Sequence, residues 1–333
     1  MAKTSKASRR HAGKIIGIGA AGVLLLLALE LLASNYLVTF AVARRAPETG
    51  SEVVPESTTS DTVQQKADEN AKQLSEQTQS WLSDAAVEQV EITADDGLKL
   101  VGDIVTQKET SHKWTIVVHG YSSQRKWMYD FAAMWAEKGY NVLLPDLRGH
   151  GESEGDYVGM GWLDRKDMLH WIDLICERDP DAQIILHGVS MGGATVMMTA
   201  GEDLPPQVKA VVDDCGYTAV WDIFSDEMDA LFKLPDFPLL YTASAISKLR
   251  AGYSFREAST LEQVKNAKVP IMFIHGSNDN FVHTEMVYEL YDTCPTQKDL
   301  YVVEGAGHGQ SYYLEPEAYT EKVFAFLESI PQT

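Results

Sequence analysis

The chain has only three cysteines in 333 residues, Cys176, Cys215 and Cys294, and no two of them are closely spaced. This excludes a disulfide framework and a zinc site built on paired short spacings, and leaves buried free thiols as the expectation. A Gly-rich Walker loop and a His-Glu-x-x-His motif are also missing, which removes two common routes to phosphate and metal chemistry. Positive charge is scarce, with 28 Lys and Arg against 48 Asp and Glu for a net −20. Seven of the basic residues, Lys3, Lys6, Arg9, Arg10, Lys14, Arg44 and Arg45, lie in residues 1–45 against the single acid Glu30, so the remainder carries −26. A body that acidic repels phosphates, which argues against nucleic acid or an anionic lipid surface as a partner.

What is present is a sizeable apolar fraction, 45% of residues, enough for one large domain or two ordinary ones. Residues 15–43, from Ile15-Ile16-Gly17 through Leu24-Leu25-Leu26-Leu27 to Ala43, form an apolar stretch long enough to cross a bilayer. It is expected to be one transmembrane helix, embedded over about residues 15–37 because Glu30, Ser34 and Asn35 weaken its second half. A cleaved signal peptide is the rival reading, and Ala41-Val42-Ala43 offers a small-residue cleavage site, but the apolar region exceeds the usual h-region. Five basic residues precede the segment and two follow it, so the positive-inside rule keeps residues 1–14 cytoplasmic and exports the body. Localisation at the cell membrane, single-pass and with the body extracytoplasmic, is therefore expected. Residues 44–86 are polar and read as a stalk, whose latter part, Val63 to Leu82, could be helical with Trp81-Leu82 docked on the domain that follows.

From residue 87 to 333 the pattern alternates between strands and helices. Val87–Thr93 and Leu98–Val105 flank Asp95-Asp96-Gly97 as a hairpin, and strands follow at Trp114–Val118, Tyr140–Leu144, Gln183–Leu186, Val208–Val212, Ile271–Ile274 and Asp299–Val303. Helical stretches at Trp127–Lys138, Trp162–Arg178, Gly192–Ala200, Thr284–Thr293 and Glu317–Ile330 separate them. The pattern predicts an eight-stranded, mostly parallel sheet with helices on both faces. The interval of about 216–268 is too long for one crossover helix, and its aromatic residues suit a small helical cap over a pocket or, equally, an insertion packed on the sheet.

The most informative stretch is Gly188-Val189-Ser190-Met191-Gly192-Gly193, set between an apolar strand and a helix. A serine on so tight a turn needs neighbours without side chains, and such an elbow presents its hydroxyl at the sheet edge. A serine hydroxyl needs a base and a group that orients the base, and in parallel sheets these sit beyond the carboxyl ends of strands. Asp279 follows the strand ending at Ile274, and His308 follows the strand ending at Val303. Asp279 alone could be a turn residue and His308 alone a loop filler; their joint placement assigns Ser190, His308 and Asp279 as nucleophile, base and orienting acid. His119, His150, His187, His275 and His283 compete for the base, His283 most directly, although Thr284 reads as the N-cap of a helix that would aim His283 elsewhere. Backbone N–H groups of Met191 and Tyr121 are the expected oxyanion donors, and the Tyr121 side chain is expected to shape the pocket.

The runs Thr115-Ile116-Val117-Val118-His119-Gly120-Tyr121 and Leu143-Leu144-Pro145-Asp146-Leu147-Arg148-Gly149-His150-Gly151-Glu152-Ser153, with the elbow, Gly276-Ser277-Asn278-Asp279 and Gly307-His308, resemble serine α/β-hydrolases over about residues 87–330. The anchor, stalk and modest insertion are similar to those of bacterial cell-surface hydrolases of the esterase and acylaminoacyl-peptidase-like groups. The resemblance implies the α/β-hydrolase fold, ester, thioester or amide substrates, no metal or organic cofactor, and a supporting role for the Asp146–Ser153 loop. It disfavours a haloalkane dehalogenase, which places Asp where Ser190 stands. A membrane-anchored carboxylesterase is the function expected, a serine peptidase, amidase or thioesterase the enzymatic alternative, and an idle surface binding domain the alternative from another class.

Overall fold

The computed structural model describes residues 3–44 and 60–331, with side chains from residue 21 onward. The apolar N-terminal segment lies within one helix, α1 (Lys3–Val42), and α2 (Asp61–Asp84) precedes the sheet. The chain then runs β1 (Val87–Thr93), β2 (Lys99–Val105), β3 (Lys113–Val118), α3 (Tyr129–Glu137), β4 (Asn141–Pro145), α4 (Asp164–Arg178), β5 (Gln183–Val189), α5 (Met191–Ala200) and β6 (Val208–Asp214). Helices α6 (Val220–Phe232), α7 (Leu239–Arg250) and α8 (Thr260–Val264) fill the interval before β7 (Ile271–Gly276). The chain closes with α9 (Glu285–Thr293), β8 (Lys298–Val303), α10 (Ser311–Leu314) and α11 (Pro316–Glu328).

The eight strands form one sheet in the order β1-β2-β4-β3-β5-β6-β7-β8. Pairs β1–β2 and β2–β4 are antiparallel and the remaining pairs parallel, so the sheet is mostly parallel as the alternating pattern predicts. Its central strands are apolar throughout because both faces are covered. Ile116 and Val118 of β3 face one core layer while Val117 faces the other, and Ile271 and Phe273 of β7 alternate likewise with Met272 and Ile274. Helices α4, α5, α8 and α9 cover the first face, and α2, α3 and α11 the second.

Residues 61–84 of the stretch expected as a stalk form helix α2. Helix α2 lies against the second face through a narrow stripe of Val63, Ala67, Leu74, Thr78 and Trp81, residues at helical spacing on an otherwise polar helix. Asn70 donates to the Tyr313 carbonyl at 3.0 Å, and Gln310 donates to Gln64 Oε1 at 2.7 Å. Helix α1 does not stand off on a tether either. Ser34, Val38 and Val42 are fully buried against the body, Ala43 makes a β-bridge with Tyr157, and the Arg44 guanidinium donates to the carbonyls of Ser153 and Gly151. Residues 45–59 lie outside the described residues.

A buried arginine fastens the edge of the sheet to the loop beyond β4. Arg125, 1% exposed, bonds Asp146, lies 2.9 Å from both Asp103 of β2 and Glu152, and is joined by the Tyr129 hydroxyl, which donates to Asp103 at 2.7 Å. Asp146 also accepts from the backbone N–H groups of Arg125 and Glu152 at 2.7 and 2.8 Å. Removing the guanidinium leaves two buried carboxylates without their cation. Arg125→Ala is expected to lower the unfolding free energy by about 3–5 kcal/mol, read from the urea midpoint; an unshifted midpoint would show that this cluster does not hold the loop.

Candidate active site

Strand β5 runs directly into Ser190, whose φ of 59° and ψ of −120° lie in a region that few residues with side chains adopt. The turn closes because its neighbours lack a Cβ. One added to Gly188 would sit 2.1 Å from the Gly192 carbonyl oxygen, and one added to Gly192 would sit 2.1 Å from that of Val118. Ser190 N–H donates to the Asp214 carbonyl at 2.7 Å, and Met191 opens α5, where first-turn N–H groups have no acceptor within the helix.

Asp279, on the loop after β7, and His308, on the loop after β8, converge on this serine. His308 Nε2 lies 2.7 Å from Ser190 Oγ, and His308 Nδ1 lies 2.7 Å from Asp279 Oδ2. That geometry fits Nδ1–H donating to the carboxylate and Nε2 accepting from the hydroxyl. The other oxygen of Asp279 accepts from the N–H groups of Phe281 and Val282 at 3.0 and 2.9 Å. Burial opposes ionisation of Asp279, yet the charge on His308 and the hydrogen bonds from His275 and His308 outweigh it and hold the carboxyl well below the usual carboxylate range. Phe281 packs edge-on to the imidazole, ring centres 4.9 Å apart.

The competing histidines are engaged elsewhere. Burial lowers His119 to about 4, and its ring bridges two loops: Nδ1 donates to the Gly120 carbonyl at 2.7 Å and Nε2 accepts from Leu147 N–H at 3.0 Å. His150 and His187 are pushed by burial to about 3, and His187 sits between the Trp135 indole N–H and the Tyr319 hydroxyl. His275 is buried and bonds the Val282 carbonyl at 2.8 Å. His283 is exposed, with its charge felt by Asp226. Thr284 is the N-cap residue of α9, as expected, but without a side-chain capping bond; its hydroxyl donates to the Gly276 carbonyl at 2.7 Å and so ties the start of the helix to β7.

Tyr121 and Met191 line, with Ser190, a cavity of about 80 Å³. Its other walls include Phe224 and Leu231 of α6 and, unforeseen, Phe40 and Ala41 of α1. The Tyr121 hydroxyl donates to the Ala41 carbonyl at 2.9 Å. Glu227 is the ionisable side chain of this wall; burial first, and the charge of Asp226 second, push its carboxyl up to about 7, with His308 opposing. Sequence reasoning also passed over Asp213 and Asp214 at the end of β6, which the strand-end rule used for Asp279 could have flagged. Burial raises Asp214 to about 6 and Asp213 well above the carboxylate range. Cys215 Sγ comes within 4.8 Å of Asp279 and His308 atoms. Burial and the surrounding carboxylates hold that thiol protonated, and the Asp279 and His308 atoms already bond each other, so the trio does not fit a metal ion.

A family model described as "Serine aminopeptidase, S33" matches residues 109–235, and one described as "Serine hydrolase (FSH1)" matches residues 197–309. The chain is 28% identical over 216 residues to the protein YqkD of Bacillus subtilis, covering 65% of this chain and 71% of that one. It is 24% identical over 205 residues to the putative esterase YitV of the same organism, covering 57% and 78%. Among solved structures, an esterase of Pyrococcus furiosus superposes with a TM-score of 0.61 at 26% identity, covering 74% of this chain and 92% of the esterase.

The raised carboxyl of Glu227 gives a signed stability test. Between its ordinary value of 4.5 and its folded value of about 7 the folded chain holds a proton that the unfolded chain releases, so its contribution is complete below 4.5 and is lost as pH rises through 7. The neutral buried histidines pull the other way below about pH 6.5, so the informative quantity is a difference. Glu227→Gln is expected to gain stability relative to wild type as pH rises from about 5 to about 8. Denaturation midpoints of both proteins across that range measure it, and a difference independent of pH would refute the assignment.

Proposed function

The chain is an enzyme of the α/β serine hydrolase superfamily, and from that premise we propose that it is a membrane-anchored, extracytoplasmic carboxylesterase working through Ser190, His308 and Asp279. The observation that carries the reading is the continuous hydrogen-bonded series from Ser190 Oγ through His308 to Asp279. Ser190 Oγ attacks the acyl carbonyl carbon while its proton passes to His308 Nε2. The ionised Asp279 holds Nδ1–H and balances the imidazolium, and the N–H groups of Met191 and Tyr121 receive the developing oxyanion. The C–O bond of the ester then breaks, and His308 returns the proton to the departing alcohol. A water deprotonated by His308 attacks the acyl-enzyme, which releases the carboxylic acid and restores the serine.

Anchoring through an uncleaved α1 is supported by the packing of its end. Cleavage after Ala43 would strip Ser34, Val38 and Val42 from the buried set and remove Phe40 and Ala41 from the cavity wall. The helix holds an apolar stretch, Ala21–Val42, with a mean hydropathy of 2.0, and the run begins at Ile15, so residues 15–33 ahead of the buried end are about long enough for a bilayer. The excess of basic residues before it favours an exported body. The domain limits that go with this reading are 1–14 cytoplasmic, 15–43 anchor and 87–333 hydrolase, with 216–268 as its cap. A peptidase or amidase using the same residues is the second reading, favoured by the aminopeptidase description of the family model.

Ser190→Ala is expected to lower hydrolysis of a p-nitrophenyl ester by more than about 10³-fold, and Asp279→Asn by about 10⁴-fold, with the fold unchanged by circular dichroism. An activity-based fluorophosphonate should label wild type and not Ser190→Ala; retained turnover in the alanine variant would refute the nucleophile. Aminoacyl amides assayed beside the esters separate the two readings. For topology, protease added to intact cells should release the body, and its protection would overturn the exported orientation.

A further inference from the structure

A second cavity, of about 60 Å³, adjoins the one at Ser190 and shares Phe40, Ala41, Phe224, Glu227 and Leu231 with it. It extends between Leu37 of α1, Met228 of α6 and Leu240 and Ala243 of α7. Leu37 lies one helical turn before Ala41, so the passage follows α1 back toward its apolar span for roughly 6 Å. Among the described residues Glu227 is the one ionisable side chain that lines it.

Its far end lies where α1 would leave the hydrocarbon. Val23 to Leu27, Leu29, Leu31 and Leu32 of α1 are each more than half exposed, with Glu30 half-buried among them and accepting from the Ser34 hydroxyl, whereas Ser34, Val38 and Val42 are buried against the body. The level of Ser34 therefore marks the change from lipid-facing to protein-facing helix. There the Ser34 hydroxyl donates to the Leu239 carbonyl at the start of α7, and Arg250 at the other end of α7 bonds Asn35 and Thr39. Around this level the cap exposes Phe232, Leu234, Phe237 and Tyr241, with Phe237 72% exposed, and Tyr36 of α1 is exposed beside them. Phe40 touches both Tyr36 and Phe232, ring centres 6.2 Å apart in each case. A rim of aromatic and leucine side chains at the end of an apolar span has the composition of a membrane interface belt.

We propose that the passage is an acyl-chain conduit through which long-chain esters of the surrounding bilayer reach Ser190, so that the substrates are membrane-resident lipids and not soluble esters or peptides. The acyl tail lies between α1 and the cap helices while the ester carbonyl sits at Ser190 and the alcohol portion faces the aqueous side. The proposal rests on the esterase reading and on α1 as a membrane span. It adds that α1 is a wall of the substrate site, and that an apolar chain need not cross water to enter.

The test uses the full chain in phosphatidylcholine vesicles and a fluorophosphonate carrying a twelve-carbon chain with a terminal diazirine. The phosphonate reports on Ser190, and photolysis followed by peptide mapping reports where the chain lies. Crosslinks to residues 33–43 or to α6 and α7 are expected; crosslinks confined to other surfaces would overturn the conduit, whereas failure to label Ser190 at all would overturn the esterase reading instead. In the same vesicles, Ala243→Trp should lower the ratio of kcat/KM for a monooleoyl glycerol ester to that for a butyryl ester by at least about tenfold, with phosphonate labelling verifying that the variant is folded. An unchanged ratio in the folded variant would overturn the conduit. Hydrolysis of the oleoyl ester should also be at least about tenfold faster when enzyme and ester share a vesicle than when they are in separate vesicles; equal rates would place the substrate source in water.

Discussion

The site depends on a backbone that reverses at Ser190 with a positive φ, a conformation that costs on the order of 1–3 kcal/mol. The surroundings hold it there. Ser190 N–H is taken by β6, all ten residues of α5 are buried, and the approach of Gly192 to the Val118 carbonyl leaves no room for another arrangement. The same close approach locks β3, β5 and the start of α5 together, so the serine hydroxyl, the first N–H of the helix and the Gly120–Tyr121 loop keep one mutual geometry. The strain is thus spread over the most tightly packed part of the sheet.

An acidic protein must dispose of the carboxyl groups it buries, and two solutions recur. Some are matched to arginine: Asp103 and Asp146 surround Arg125, and Asp167 takes both Nε and Nη2 of Arg148 at 2.7 Å. Others are driven toward the neutral acid, as burial does to Asp164, at about 7, and to Asp213. Asp279 follows neither course. It stays ionised on backbone N–H groups and histidine alone, with its charge facing the His308 imidazole.

Much of this was legible in the chain. Strands buried on both faces are continuous apolar runs, and Asp279 and His308 stood out because glycines mark the loops beyond the carboxyl ends of β7 and β8. What was not legible depends on which apolar surfaces meet. Leu25 and Val38 look alike in sequence, yet one faces outward and the other packs on the body; Glu30, Ser34 and Asn35 mark a weakened half of the span but not the surface that Val38 meets. The stripe of α2 is so narrow that composition reads as a stalk that could be helical over Val63–Leu82 and reveals little of the surface it lies on. Asp213 and Asp214 are perturbed chiefly by tertiary burial, and Thr284 stands at the cap position but its hydroxyl donates to the Gly276 carbonyl and accepts from no first-turn N–H of α9.

Helix α1 ends inside the fold, with Ala43 paired to Tyr157 and Arg44 clasped by the Gly151–Ser153 loop. There is no slack at that junction, so the serine is carried at a set height and tilt relative to whatever holds the helix. Held in a membrane, such a molecule would not search the space above its support as a flexibly leashed enzyme can; it would survey a plane, by lateral drift and by spinning about its own axis. Encounters would then be counted per unit area, and dilution of the surrounding fluid would leave them unchanged.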